Sequence, residues 1–319
     1  MNKPPYTIID QIALLKRRGM FFADETEANL TLGNVGYYRL KGYWWDLQID
    51  NIRHTFKPDT NFEAVVERYN FDRQLKVLLF DAITRIEIAV RAKLIYHLSV
   101  SYGGLWYLNT TLFETASYTK DGITKTTHLH TLDELQKEYN RSQEIFVRDQ
   151  NNRYPGQSPD AWKILETASL GTISKLYKSL KNQLSEKALI ANELGLSMFT
   201  ELSSWLEAIT LVRNIIAHHS RLWSRNIPKR PILQLNNPTS AWLNPQLQQA
   251  QINKPFAVIA CMVYLCNHLN KSDDIKQKII GLIDLYPDLQ LGKYGFPNNW
   301  RTELLWMRST PNGNLLATK

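Results

Sequence analysis

Apolar residues recur at helical spacing over most of the chain, and two stretches dominate the pattern. In residues 62–101 they recur every three or four positions without a strong helix breaker, which predicts one long helix or two helices with a kink near Asn70. A second apolar helix begins near Phe199 and runs into the polar stretch 213–225. We expect the long helix to be the scaffold against which the second helix packs.

Shorter helices complete the pattern. We predict them at residues 8–20, 25–32, 131–148, 161–180 with an interruption at Gly171, 185–195, 254–270 and 273–286, with a short helix near 300–307. Prolines after Arg225 predict an extended connector, and residues 105–130 and 149–159 are irregular in pattern. Because no convincing set of strands is present, the predicted fold is mainly α.

The same pattern divides the chain into four segments of one composite domain. Residues 1–104 hold the N-terminal helices and the long core helix, 105–159 form an insertion, 160–226 hold further core helices with the polar stretch, and 227–319 hold the connector and C-terminal helices. We expect the charged insertion at residues 105–159 to be a suitable place for binding RNA or a protein partner.

Composition describes a folded, basic protein. The 319 residues are 44% hydrophobic and 21% charged, as in a globular protein, and the formal net charge of +8 is compatible with a polyanionic partner. Cys261 and Cys266 lie in one apolar stretch, where free thiols fit a reducing compartment. Neither a signal-peptide core nor a membrane-length apolar run is present, so we expect a soluble, cytoplasmic protein without a membrane partner.

The most informative residues follow the second apolar helix. Arg213, Asn214, His218 and His219 lie within seven positions. On a helix, Asn214 and His218 share a face, whereas Arg213 and His218 diverge by about 140°. If Arg213 and His218 act together, the helix must end or bend nearby, or a second copy must complete the site.

An arginine beside a histidine suggests phosphodiester chemistry. The guanidinium suits a phosphate, and imidazole moves protons near neutral pH. Without a carboxylate cluster, this points to attack by a ribose 2′-hydroxyl without a metal, which requires RNA. The alternative is a helix end where Arg and His satisfy carbonyl groups. A similar spacing, of six positions instead of five, occurs at Arg91 and His97, where we expect His97 to be a helix-surface or helix-end residue.

Three further patterns leave alternatives open. In residues 36–45 aromatic residues alternate with Arg39 and Lys41. Either the aromatic rings stack on unpaired nucleotides, or they pack in the core while the two basic side chains lie at its edge. Glu87 and Arg91 are four apart on a helix and either pair with each other or orient Arg213 and His218. The isolated pair His128 and His130 lacks further ligands, so we predict no metal site.

A family resemblance supports the first reading of the motif. Arg213, Asn214 and His218 resemble the R-x4-6-H motif of HEPN-domain ribonucleases. The segments 36–44, 69–75, 86–92 and 213–225 resemble, in order, the Abi family of abortive-infection proteins of the AbiD/AbiF type. The resemblance implies a HEPN-like helical bundle that cleaves RNA to a 2′,3′-cyclic phosphate and a 5′-hydroxyl without a cofactor.

The resemblance also assigns roles to residues. It implies that Arg213 and His218 are catalytic. It also implies support from Asn214 and His219 and RNA contacts from Arg221 and Arg225. From the patterns described above we add Glu87 and Arg91 as supporting residues, and we expect further RNA contacts from Arg39, Lys41 and Arg73. We therefore expect a homodimeric phage-defence toxin regulated by a small structured noncoding RNA. Two alternatives remain: an RNA-binding protein that does not cut, and a structural protein whose motif caps a helix.

Overall fold

The computed structural model describes residues 5–50, 52–244, 249–270, 272–309 and 315–316, and it confirms a mainly α fold. The first helices are α1 (Ile8–Arg17), α2 (Glu25–Val35), α3 (Tyr37–Trp44) and α4 (Phe62–Tyr102). They are followed by α5 (Thr127–Arg141), α6 (Ile145–Arg153), α7 (Ala161–Ile164), α8 (Leu170–Ser179), α9 (Ser185–Glu193) and α10 (Phe199–Ala217). The last are α11 (Gln249–Ile252), α12 (Pro255–Leu269) and α13 (Ile275–Asp284).

Short elements connect these helices. Single turns of 3₁₀ helix lie at Trp45–Leu47, Trp106–Leu108, Thr110–Leu112, Leu165–Thr167, Leu291–Tyr294 and Trp300–Thr302. The strands are β1 (Gln48–Asp50), β2 (Thr55–Phe56), β3 (Ser117–Lys120), β4 (Ile123–Thr126), β5 (Arg308–Ser309) and β6 (Leu315–Leu316). They pair consecutively as three antiparallel hairpins.

The long apolar pattern forms one continuous helix. α4 has 41 residues, so the alternative of two helices kinked near Asn70 is wrong. It begins where the Asn61 side chain accepts the backbone N–H of Ala64 at 2.7 Å, and it ends at Gly103, whose φ of 79° no longer fits a helix. Buried residues run along its whole length, which fixes α4 in the core.

The core is built on α4, as predicted. α10 and α12 pack against it and against each other, and α3, α8, α9 and α13 also contact it. The side chains of α12 from Phe256 to Cys266 are all buried, so this helix has no polar face and lies inside the bundle. Both cysteines are free thiols in this buried stretch. No described helix is both long enough and apolar enough to cross a membrane.

The predicted irregular stretch 105–130 contains an ordered hairpin. β3 pairs with β4 from Ser117 opposite Thr126 to Lys120 opposite Ile123, and the turn between them is Asp121–Gly122. Both turn residues have positive φ, which is the geometry that Asp-Gly favours in a two-residue hairpin. The helix predicted at 131–148 is in fact two, since α5 ends at Arg141 and α6 begins at Ile145. Likewise α2 continues past Gly33 to Val35.

The histidine pair on α5 serves the fold. The Nε2 atom of His128 lies 2.7 Å from the carbonyl oxygen of Tyr107, and that of His130 lies 3.0 Å from the carbonyl oxygen of Tyr118. Phe113 stacks on the His128 ring with centroids 3.6 Å apart. In the part of the chain that the structure describes, no group of three or more His, Cys, Asp or Glu side chains is placed to hold a metal ion.

Candidate functional site

The motif helix ends between its arginine and its histidines. α10 stops at Ala217, and His218 is its C-cap with φ −87°. His219 follows with φ 53°, the left-handed conformation that usually belongs to glycine. Its N–H donates to the Ile216 carbonyl at 2.9 Å and that of Ser220 to the Ile215 carbonyl at 2.9 Å, which is the Schellman pattern. The chain therefore leaves the helical path after His218, between the two histidines of the motif.

A groove of about 620 Å³ lies between the first half of α4, the end of α10 and the edge of α3. Basic side chains surround it and apolar ones form the rest of its wall. The basic residues are Arg39, Arg73, Lys76, Arg213 and His219, and the others are Tyr69, Val77, Phe80, Ile216 and Ala217. Of the residues that line the groove, none is Asp or Glu, so the groove carries excess positive charge.

Two of these cations are tethered and two are free. Nη1 of Arg39 donates to the carbonyl oxygen of His219 at 2.7 Å, and Nζ of Lys76 donates to the carbonyl oxygen of Ser220 at 3.3 Å. Arg73 and Arg213 form no ion pair with any described residue, and the hydrogen bond of Arg213 to Asn214 is long, at 3.5 Å. Their charges are therefore available to an anion.

The two histidines differ in position. His219 lines the groove, whereas His218 is exposed at the end of α10 outside that lining. The ring of His218 forms no hydrogen bond or ion pair with the described residues. It is thus free to exchange a proton with a bound molecule, and the exposed Asn214 lies one helical turn before it.

A buried carboxylate holds this corner of the molecule together. Asp72 of α4 is fully buried and accepts hydrogen bonds from side chains and from the backbone beyond the motif. Its donors are Tyr43 Oη (2.8 Å), Tyr294 Oη (2.9 Å), Leu222 N (3.0 Å), Trp223 N (3.0 Å) and Lys76 Nζ (3.1 Å). Burial, and then the charge of Asp72, raise the pKa of both tyrosine hydroxyls, so both remain donors.

Glu87 and Arg91 form the predicted ion pair, with 2.9 Å between Oε1 and Nη2. Arg91 also donates to the Ala168 carbonyl oxygen at 2.9 Å, which joins α4 to the start of α8. Burial raises the pKa of Glu87, and the charges of Arg91 and Arg213 oppose that shift. Glu87 is therefore in electrostatic range of Arg213, while the described contacts of Glu87 and Arg91 do not include His218.

The predicted RNA contacts do not all converge. Arg39 and Arg73 line the groove, whereas Lys41 lies on a different face of α3 and Arg225 is partly buried outside the lining. Arg221 donates to the Trp223 carbonyl and lies against α3 at Gly42, where a Cβ would come within 2.8 Å of its Cδ. A side chain at position 42 would therefore displace the Arg221 side chain from this position.

Sequence reasoning missed Asp72 and Lys76. Both belong to α4, four residues apart, which is the spacing of an intrahelical ion pair. That spacing was the available signal, but their partners Ser220, Leu222 and Trp223 lie about 150 positions further along the chain. Only the packing of α10 on α4 brings them together.

Comparison with known proteins identifies the family. The sequence model of the Abi-like protein family matches residues 30–224, which is more than half of the chain and includes Asp72 and every residue that lines the groove. No curated protein and no solved structure matches the chain significantly. The family suggests a role in abortive infection, a form of phage defence. The chain belongs to the Abi-like protein family.

Proposed function

We propose that this protein is a metal-independent endoribonuclease of the HEPN type, which aborts phage infection by cutting RNA. One observation carries the proposal. Three arginines, a lysine and a histidine surround a groove whose lining contains no carboxylate, and the unbonded imidazole of His218 lies at the end of the helix that supplies Arg213. A phosphodiester fits the cations, and the imidazole supplies proton transfer.

The proposed reaction uses the ribose of the RNA itself. His218 takes the proton of the 2′-hydroxyl, the 2′-oxygen forms a bond to phosphorus, and the bond from phosphorus to the 5′-oxygen breaks. A protonated His219 gives its proton to the departing 5′-oxygen. Arg213 stabilises the charge that develops on the phosphate oxygens. The products are a 2′,3′-cyclic phosphate and a 5′-hydroxyl, and no redox partner is needed.

A homodimer is part of the proposal. Val77, Phe80 and Ile88 are exposed along one side of α4, since Phe80 follows Val77 by three positions and Ile88 follows Phe80 by eight. Val77 and Phe80 also form part of the groove wall. A second copy covering this apolar strip would bring two motifs together near a twofold axis. The net charge of +8 also supports the proposal that a small structured noncoding RNA binds and restrains the enzyme.

One observation favours the alternative of RNA binding without cleavage. The groove is lined by His219 and by cations, while His218 lies outside the lining. A protein that only holds RNA needs the cations and not His218. The two functions therefore predict different effects when His218 is replaced.

The test uses the purified full chain and end-labelled RNA in EDTA. We expect cleavage by wild type, a loss of about 100-fold or more in His218→Ala and Arg213→Ala, and no cleavage where the 2′-hydroxyl is replaced by hydrogen. His97→Ala is the matched control, because Arg91 and His97 have motif spacing but His97 pairs with Glu193 at 3.0 Å.

The product ends and the affinities decide between the functions. Cyclic phosphates on the wild-type products, absent with His218→Ala, support the nuclease. RNA binding by wild type and His218→Ala alike, with no cleavage by either after any RNA that copurifies with the protein is removed, would establish the binding protein instead. Cleavage that survives in His218→Ala would contradict the assignment of the base.

A further inference from the structure

The helix α3 has three different faces. Leu40, Tyr43 and Trp44 are buried in the core, which confirms the core reading for part of the aromatic stretch. Arg39 faces the groove. A third face is solvent-exposed and carries Tyr38 and Trp45, whereas Tyr37 is partly buried against Trp44.

This exposed face is formed by Tyr38, Lys41 and the following residue Trp45, which we call the α3 platform. Their spacing of three and seven positions puts them on one side of the helix. Tyr38 is 84% exposed and Trp45 is 48% exposed. Large aromatics that are left in solvent on one face indicate a contact surface rather than a part of the core.

The charge on the platform is positive. Nζ of Lys41 lies 5.9 Å from the centroid of the Tyr38 ring and 5.4 Å from that of the Trp45 ring. Among the described residues no carboxylate pairs with Lys41. The ammonium group thus lies between two accessible aromatic rings, with its charge free for a phosphate.

The dimensions of the platform suit a short run of bases. Tyr38 and Trp45 are separated by seven residues, or about 10 Å along the helix axis at 1.5 Å per residue. Consecutive stacked bases are roughly 3.4 Å apart, so this distance spans about three of them. Aromatic rings with a cation between them are the arrangement that single-stranded nucleic-acid sites use.

We propose that the α3 platform binds unpaired bases of an RNA strand whose backbone continues past Arg39 into the groove. This inference rests on the proposed function for the identity of the polymer. Because Arg39 follows Tyr38 directly in the chain, the platform and the groove are adjacent faces of one helix. The platform would hold nucleotides beside the scissile bond and so favour single-stranded over fully paired RNA.

The test measures binding in the absence of cleavage. A fluorescent single-stranded RNA with 2′-O-methyl groups throughout lacks the nucleophile, and its affinity for the full chain is measured by anisotropy. We expect Tyr38→Ala and Trp45→Ala each to weaken binding by roughly 10-fold or more, and Tyr38→Phe to bind as wild type. A fully paired duplex of the same length should bind the variants and wild type alike.

Tyr96→Ala is the control, because Tyr96 is also an aromatic residue exposed on a helix, at 64%, but lies on α4 next to His97. It should bind the single strand as wild type does. Since Tyr38 is almost fully exposed, thermal unfolding of Tyr38→Ala should match that of wild type, which makes its affinity interpretable.

The outcomes separate the platform from the proposed function. Loss of single-strand affinity without any cleavage of natural RNA by wild type would support the platform and overturn the nuclease. Cleavage by wild type with unchanged affinity in both alanine variants would overturn the platform alone. An equal loss for duplex RNA would contradict base stacking. A change of oligomeric state in Tyr38→Ala, measured by light scattering, would assign this face to a protein contact instead.

Discussion

At the scale of single residues, Asp72 is the most heavily bonded polar group near the site. A buried carboxylate is tolerable only when its oxygens are fully bonded. Here two tyrosines, one lysine and two backbone N–H groups satisfy it. Because both N–H groups belong to Leu222 and Trp223, five and six positions after the end of α10, Asp72 ties the chain that follows the motif helix to α4.

Replacing Asp72 with Asn should therefore be costly. The amide keeps the shape but turns one acceptor into a donor that faces other donors, and it leaves Lys76 without its counter-charge. We expect Asp72→Asn to lower the free energy of unfolding by about 3–5 kcal/mol. Urea denaturation followed by circular dichroism measures this difference.

The matched control is Asp81→Asn on the same helix. Asp81 pairs with Arg85 at 2.7 Å, but its side chain is 58% exposed. An exposed pair contributes little, so this change should cost less than about 1 kcal/mol. Equal costs for the two substitutions would mean that Asp72 does not organise the site.

At the scale of the element, the end of α10 places the two histidines in different backbone conformations. His219 is left-handed with φ 53°, and His218 is not, with φ −87°. A side chain in the left-handed region costs about 1 kcal/mol relative to glycine. The molecule therefore retains an imidazole at a position where glycine would be more stable.

A pair of substitutions tests this strain. We expect His219→Gly to be about 1 kcal/mol more stable than His219→Ala, since only glycine relieves the backbone. At position 218 the order should reverse, because alanine fits the backbone there without strain and glycine loses more conformational entropy on folding. Chemical denaturation of the four variants gives the comparison. The same order at both positions would show that residue 219 is not held left-handed in solution.

The periodic elements were predictable from the sequence because their signal is local. The apolar spacing gave the positions of α4, α10 and α12, although not all of their ends. The hairpin β3–β4 was missed because its strands are largely exposed and carry no alternating apolar pattern. The Asp121–Gly122 turn was the one available indication of it.

The site was less predictable than the helices. The sequence identified Arg213, Arg39 and Arg73 as candidates, and these three do line one groove. No helix was predicted at residues 36–45, so Lys41 could not be placed on a face of α3 other than that of Arg39. The sequence also could not show that His219 rather than His218 lines the groove. Those facts depend on helix rotation and on a single left-handed residue, and neither leaves a periodic trace in the sequence.

At the scale of the whole molecule, α5 packs on α8 and carries a histidine that must stay neutral. Burial lowers the pKa of His128, while its hydrogen bond to the Tyr107 carbonyl partly opposes that shift. The unfolded chain therefore binds a proton more readily than the folded one. The stability that this residue contributes is fully present above the ordinary histidine pKa of about 6.5. It is lost as the pH falls from there through the lowered pKa of His128 in the folded state.

The pH dependence of the free energy of unfolding measures the contribution of His128. We expect the free energy of unfolding of wild type to fall below about pH 6.5, and His128→Gln to show a shallower fall, since glutamine does not titrate. Denaturation at pH 7.5, 6.5 and 5.5 on both proteins gives the two slopes. Identical slopes would mean that His128 is protonated in the folded state without penalty.

The hydrogen bond that the Tyr294 hydroxyl donates to Asp72 has a consequence for recombination between related genes. The family match ends at residue 224, but Tyr294 lies seventy positions beyond it, and α12 and α13 also cover α4 from there. A recombination that exchanged only residues 30–224 between two relatives would pair one parent's buried carboxylate with the other parent's tyrosine and helices. We therefore expect such a chimera to lose stability unless the segment that completes the core is exchanged together with the segment that carries the motif.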